Sequence, residues 1–400
     1  MDLKSGAPFW PIKDGLLTTY PALKQDVNCD VAIVGGGISA AITAHHLAEA
    51  GVDTLVLEKR DIGYGSTSAS TSLLQYEIDT HLHELIDLIG ERDAVRSYQV
   101  CLEALAKAEL LIAGLGDDCG FERKTSLYLA SRKRDVQSLK QEFEARRRFG
   151  FRLDLLSQGD IEARFSFSAP AALLSHDAAQ LDAYRFTHRL FQRAARMGAR
   201  IFDRTEMVSY EQCDGGVILT TDRGCRVRAR KLVFATGYES QSYLKRSAGK
   251  LKNTYALVSE PLDEFTGWYN QCLIWETARP YFYLRTTPDG RAIIGGQDDS
   301  FHSPLERDRS VERKSKKLAE RFRAMFPAID LEIAYAWAGT FGETKDGLAY
   351  IGATEEVPNA YFILGYGGNG VTYSIVAAEI IRDLILGRPN QDATLFRFDR

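Results

Sequence analysis

The chain has 400 residues, 45% of them hydrophobic and 26% charged, with a formal net charge of −4. That is an ordinary globular composition, long enough for two or three domains, and its charge does not point to nucleic acid or an anionic membrane as a partner. Six scattered cysteines without a CxxC pair argue against a disulfide scaffold or a metal site, and no apolar run approaches the ~18 residues of a membrane span. The opening MDLKSGAPFW lacks the basic and apolar regions of a signal peptide, so a cytoplasmic location is expected.

Residues 1–28, rich in proline and aromatic side chains, read as an arm packed in extended form. Next comes Asp30 to Glu58, DVAIVGGGISAAITAHHLAEAGVDTLVLE. It reads as a buried strand (Val31–Val34), a glycine turn (Gly35, Gly36, Gly37), a helix from about Ile38 to Gly51, a second buried strand (Thr54–Leu57) and an acid. Ile62–Leu74, IGYGSTSASTSLL, is a hydroxyl-rich loop entering a helix. Residues 81–115 read as helices, 125–130 as a strand, and 134–148 as a charged helix whose Arg146–Arg148 cluster is expected on a solvated face. Asp182 suits the N-cap of a helix through Arg196. Strands at 199–202, 217–220 and 232–235 follow, strand patterns dominate 254–296, and 309–326 is helical. The chain closes with WAGTFGETKDGLAYIG from Trp337 and YFILGYGGNGVT from Tyr361, the latter a strand, a glycine loop and a helix to about Leu386.

Strand, glycine turn, helix, strand and acid together form a dinucleotide-binding fingerprint in its required context. Gly35 permits the sharp turn, and Gly37 lets backbone approach a pyrophosphate. The helix N-terminus offers free N–H groups and partial positive charge. Glu58 is placed to accept hydrogen bonds from ribose hydroxyls and disfavours a 2′-phosphate.

With its fingerprint, the GSTSAS loop, Ala235–Gly237, YFYLR with DGRAIIGG, Thr344–Gly347, GYGGNGVT and the terminal NQDATLFRFDR in this order, the chain resembles the D-amino-acid oxidase family of FAD-dependent oxidoreductases. Glycine oxidase, sarcosine oxidase and γ-glutamylputrescine oxidase are members. The resemblance runs from about Asp30 to Arg400. It implies an α/β fold, a Rossmann-like FAD domain (29–85, 155–247 and 336–400) interleaved with an α+β substrate domain on an antiparallel sheet (86–154 and 248–335). It also implies the cofactor contacts. Gly35, Gly37 and Ala40, with Ile38 and Ser39, would carry the FAD pyrophosphate, and Glu58 the adenosine ribose. Lys59 and Met207 would lie by the adenine, and Ser66, Thr67 and Ser68 by the phosphate and ribityl. Ala235, Gly237 and Gly339 are further contacts; Gly368, Asn369, Gly370, Val371 and Thr372 would wrap the pyrimidine edge. Sarcosine oxidases attach flavin through a cysteine near the Trp337–Thr344 segment, which contains none here, so the FAD is expected to be non-covalent. A further departure is Ser72, where many relatives have glycine.

On the strand Tyr281–Arg285, residues 281, 283 and 285 share a face. A planar cation suits a carboxylate, and the resemblance implies that Arg285 clamps one; a structural ion pair is the alternative. Tyr283 and Tyr255 are the other substrate candidates, and Gln75 and Tyr76 are candidates for flavin or substrate contact. The reaction implied is oxidation of the C–N bond of a small amine or amino acid by hydride transfer to flavin N5. The resulting imine then hydrolyses. Oxygen or another acceptor would reoxidise the flavin. Two alternatives remain, a flavoprotein subunit passing electrons to a partner in a hetero-complex, and an enzyme trimming a modified tRNA base.

Overall fold

The computed structural model describes residues 3–245 and 249–400. Its smaller sheet has eight strands. Ala360–Leu364, Arg226–Phe234, Val27–Val34, Thr54–Leu57 and Arg200–Phe202 lie side by side in that order, all parallel. Val31–Val34 and Thr54–Leu57 are buried along their whole length, as a parallel sheet covered on both faces requires. Helices Ile38–Glu49, Ala183–Arg196 and Gly370–Ile385 pack on one another beside it. On the other side the hairpin Met207–Cys213 with Gly216–Thr221 closes a core around Leu55, Leu57, Phe234 and Phe362. Asp182 caps its helix by accepting the N–H of Arg185.

The larger sheet has ten strands. Every pairing is antiparallel except that of Leu273–Glu276 with Glu122–Leu129. Helix Pro304–Met325 covers one face, with Leu318, Ala319 and Phe322 packed in a core with Leu257, Leu284 and Ile294.

Three features differ from the sequence reading. The N-terminal arm is not simply extended: Lys4–Gly6 pairs with residues 337–339, and Phe9–Asp14 is a helix with Phe9 and Trp10 buried. Strands Leu73–Gln75 and Ala171–Gln180 join the larger sheet, although both fall within stretches assigned to the FAD domain. A short apolar run announces a strand but not the sheet that recruits it. Arg146 is not solvated. It is fully buried between Tyr76 and Tyr98, bonded to Glu142 at 2.6 Å and 3.5 Å from Glu77.

Candidate active site

A cavity that, together with its solvent-open mouth, takes up about 2060 Å³ is lined from both sheets. The glycine turn after Val34 forms one wall. Gly35 sits at φ 114°, and a Cβ there would lie 2.3 Å from the Ala235 carbonyl oxygen. At Gly36 a Cβ would meet the Glu58 side chain at 2.7 Å, while Gly37 has only the Thr67 hydroxyl near it, at 3.0 Å. Thr67 Oγ1 accepts the N–H of Ile38, which locks the hydroxyl loop to the start of the fingerprint helix. Glu58 accepts the N–H of Gly36 on Oε2 (2.6 Å) and of Arg60 on Oε1 (2.7 Å). Burial pushes its carboxyl upward, against those two bonds. Lys59 is paired with Glu239 at 2.7 Å. The second helix N-terminus on the cavity is that of Gly370–Ile385, whose leading residues Asn369–Val371 line it.

The hydroxyl loop is held from behind by its carbonyls. Trp337 donates to Ala69 O (2.9 Å) and Trp10 to Ser70 O (2.7 Å). Arg285 Nη1 donates to Thr71 O, Ser72 O and Leu181 O at 3.0, 2.9 and 2.7 Å. Arg285 is fully buried and does not line the cavity. It shares a strand face with Tyr281 and Tyr283, which do line it, but further along the strand the backbone of residues 71–72 covers that face. Ser72 itself lies at φ 58°, a backbone region that glycine enters at less cost.

Other expected residues also fall outside the lining. Tyr255 points to the opposite side of its strand from Thr254 and donates to Asp299 at 3.1 Å. Ala40 is buried within the helix packing. The Ser68 hydroxyl turns back to the carbonyls of Tyr64 and Gly65, and that of Thr372 donates to Gln75 O. The remaining expected cofactor residues, Gly35, Gly37, Ile38, Ser39, Glu58, Lys59, Ser66, Thr67, Met207, Ala235, Gly237, Gly339 and Gly368–Val371, all line the cavity.

The larger sheet contributes Thr254, Trp275, Tyr281, Tyr283 and Asp298 to the other end. Trp275 is stacked on Tyr128 (3.8 Å between rings) and donates to Ser126. Tyr283 shares a hydrogen bond with Thr254 at 3.3 Å. Asp79 accepts from the Tyr281 hydroxyl and from the N–H of Gly368, both at 3.2 Å, which ties the two sheets together at the cavity. Sequence reasoning missed Thr254, Trp275 and Asp298 because each is one residue on a strand whose facing depends on register, and Asp79 because it sits in the bend after Leu73–Gln75 and meets its partners only on packing. Alternation along 250–259 was the available signal for Thr254.

Residues 30–384 match the family model described as DAO, FAD dependent oxidoreductase. The chain belongs to this family. It is 27% identical over 388 residues to glycine oxidase of Bacillus subtilis strain 168, covering 93% of this chain and 97% of that protein. It is 25% identical over 378 residues to γ-glutamylputrescine oxidoreductase of Escherichia coli K12, covering 92% and 86%. The crystal structure of glycine oxidase from Geobacillus kaustophilus matches with a TM-score of 0.76 at 21% identity, over 91% of this chain and 96% of that one, a likeness of fold.

This DAO-family chain is thus an FAD-dependent enzyme acting on C–N bonds, and its cavity suits that cofactor. Gly37 leaves room for backbone approach, two helix N-termini face the same space, and the Ser66 hydroxyl on the wall is buried without a partner. No cysteine lines the cavity, and no helix among the described residues is long and apolar enough to cross a membrane.

Proposed function

We propose that this DAO-family enzyme oxidises the C–N bond of a small amine or amino acid to an imine, which water then hydrolyses. One observation carries the reading: an aromatic compartment, formed by Trp275, Tyr281 and Tyr283, opens on the same cavity as the two helix N-termini. FAD, when bound, supplies the two-electron acceptor for a hydride from the carbon beside nitrogen. The chain's residues bind and orient. The amides at Gly37 and Ile38 and the hydroxyls of Ser66 and Thr67 suit the cofactor's phosphates, Glu58 its ribose, Met207 and Lys59 its adenine, and Gly368–Val371 the flavin edge. The aromatic walls exclude water and hold the substrate's carbon in place, which supports the rate by orientation.

The test is anaerobic bleaching of the flavin by D-amino acids, glycine, N-methyl and N-carboxymethyl amino acids and polyamines. At least one class should remove the absorbance near that of oxidised flavin, with imine-derived carbonyl product in equal amount. A flavin that stays oxidised with the whole panel sinks the reading.

A further inference from the structure

The substrate end carries an unbalanced charge. Its charged lining residues around Trp275, Tyr281 and Tyr283 include Asp79 and Asp298, whereas the cations that line the cavity, Lys59 and Arg60, follow Glu58 at the other end. Asp79 is engaged by Tyr281 and Gly368. Asp298 is half-buried: the Thr254 hydroxyl serves its carboxyl, but its Oδ1 has no hydrogen-bond partner. Burial pushes its carboxyl up to about 7, the Thr254 hydroxyl and Arg279 pulling the other way. An outer cavity shares Asp79, Tyr281 and Asp298 with the inner one. Its two cations are already placed: Lys252 pairs with Glu343 at 2.6 Å, and Arg279 lies over the Tyr281 ring and donates to its hydroxyl.

A carboxylate on the wall of a compartment shielded from water gains from a cationic donor that arrives with the substrate. Aromatic faces attract an ammonium group. A carboxylate on the reacting carbon would meet two acids and no free cation in the inner compartment, which repels it. We propose that the substrate is a cationic amine bearing no carboxylate on the carbon that is oxidised, with Asp298 as its counter-ion. This rests on the C–N oxidation reading and narrows it. Asp298 also has a chemical part. An ammonium cannot release hydride from its carbon, because the nitrogen lone pair is held by a proton. Transfer of that proton to the Asp298 carboxylate leaves a neutral amine and a neutral acid, with no other bond changed.

The experiment uses the holoenzyme and matched pairs, 1,4-diaminobutane against ornithine and N-methylbutylamine against N-methylnorvaline, each pair differing by one carboxylate on the reacting carbon. Anaerobic flavin reduction should favour the amine of a pair by about 100-fold in kcat/KM, and Asp298→Asn should lower the amine's value by about 100-fold with flavin content and Tm kept. Butyltrimethylammonium, which cannot be oxidised in this way, provides a binding readout by calorimetry; it should bind the parent enzyme and bind Asp298→Asn at least about 10-fold more weakly. Equal or faster reduction by the carboxylated members overturns the proposal, and so does unchanged binding of the quaternary ammonium in the variant. If no compound reduces the flavin but the ammonium binds in an Asp298-dependent way, the cation site stands and the C–N oxidation reading falls.

Discussion

Glu58 and Arg285 are both buried charged residues, and they have different work. Glu58 uses one lone pair of each oxygen on backbone N–H groups and borders the cavity with the rest. Glu58→Ala should weaken FAD binding by about 1–3 kcal/mol, the scale of lost hydrogen bonds to a charged group. Flavin release on dilution measures this, and unchanged affinity would remove Glu58 from the cofactor site. Arg285 holds three carbonyls, two of them in the loop that lines the cavity. Arg285→Met should therefore cost about 2–5 kcal/mol of stability and loosen flavin, because three buried acceptors lose their donor. It should leave the ratio of rates for carboxylated and decarboxylated substrates unchanged. A selective loss for carboxylated substrates would instead restore Arg285 as a clamp.

At the scale of elements, the fingerprint turn separates two uses of glycine. Gly35 is pressed against the Ala235 carbonyl at positive φ, whereas Gly37, at φ −86°, has an ordinary backbone and only the Thr67 hydroxyl near it, at 3.0 Å. Gly35→Ala should fail to fold, since neither backbone can give way by the distance required. Gly37→Val should fold with a near-parent Tm and lose flavin, because its side chain occupies the ligand's approach. Soluble yield, circular dichroism and flavin content of the two variants decide; a Gly37→Val protein with full flavin would contradict the assignment. The N-terminal helix belongs to the same unit through Trp10, whose indole holds Ser70 as Trp337 holds Ala69.

For the whole molecule, two consequences follow from what is buried. Burial, with His45 and Arg382 nearby, pushes His46 down to about 4. The unfolded chain takes up that proton near pH 6.5 and the folded one does not, so stability is lost as pH falls from about 6.5 towards about 4, by up to about 3 kcal/mol. Burial would raise Glu142, but Arg146 and His83 outweigh it and hold the carboxyl far below its usual range, which adds a loss below about pH 4.5. Urea midpoints at pH 7.5 and 5 should differ in the parent and less so in His46→Leu; equal differences would remove His46 as the cause. The second consequence concerns the cofactor. With no cysteine on the cavity wall, acid precipitation should leave a colourless pellet and FAD in the supernatant. A pellet that stays yellow would show a covalent bond.

The dinucleotide half of the site was legible in the residues because it is local. A buried strand, three glycines, a helix start and an acid lie within one stretch of chain, in the order that the fingerprint requires. The parallel sheet followed from the same runs, and Asp182 announced its own helix. What only the tertiary structure decided is the substrate end. Trp275, Tyr283, Thr254 and Asp298 come from four strands, and whether each faces the cavity depends on the register in which those strands pair. Arg285 illustrates the limit: alternation correctly put it on the face of Tyr283, but the loop that covers it arrives from residues 71–72, more than two hundred positions earlier. Arg146 is the same lesson in charge, an apparent surface arginine buried because Glu142 and Glu77 meet it there. A sequence carries the pattern of each element; the partner that covers or pairs a side chain exists only once the elements have packed.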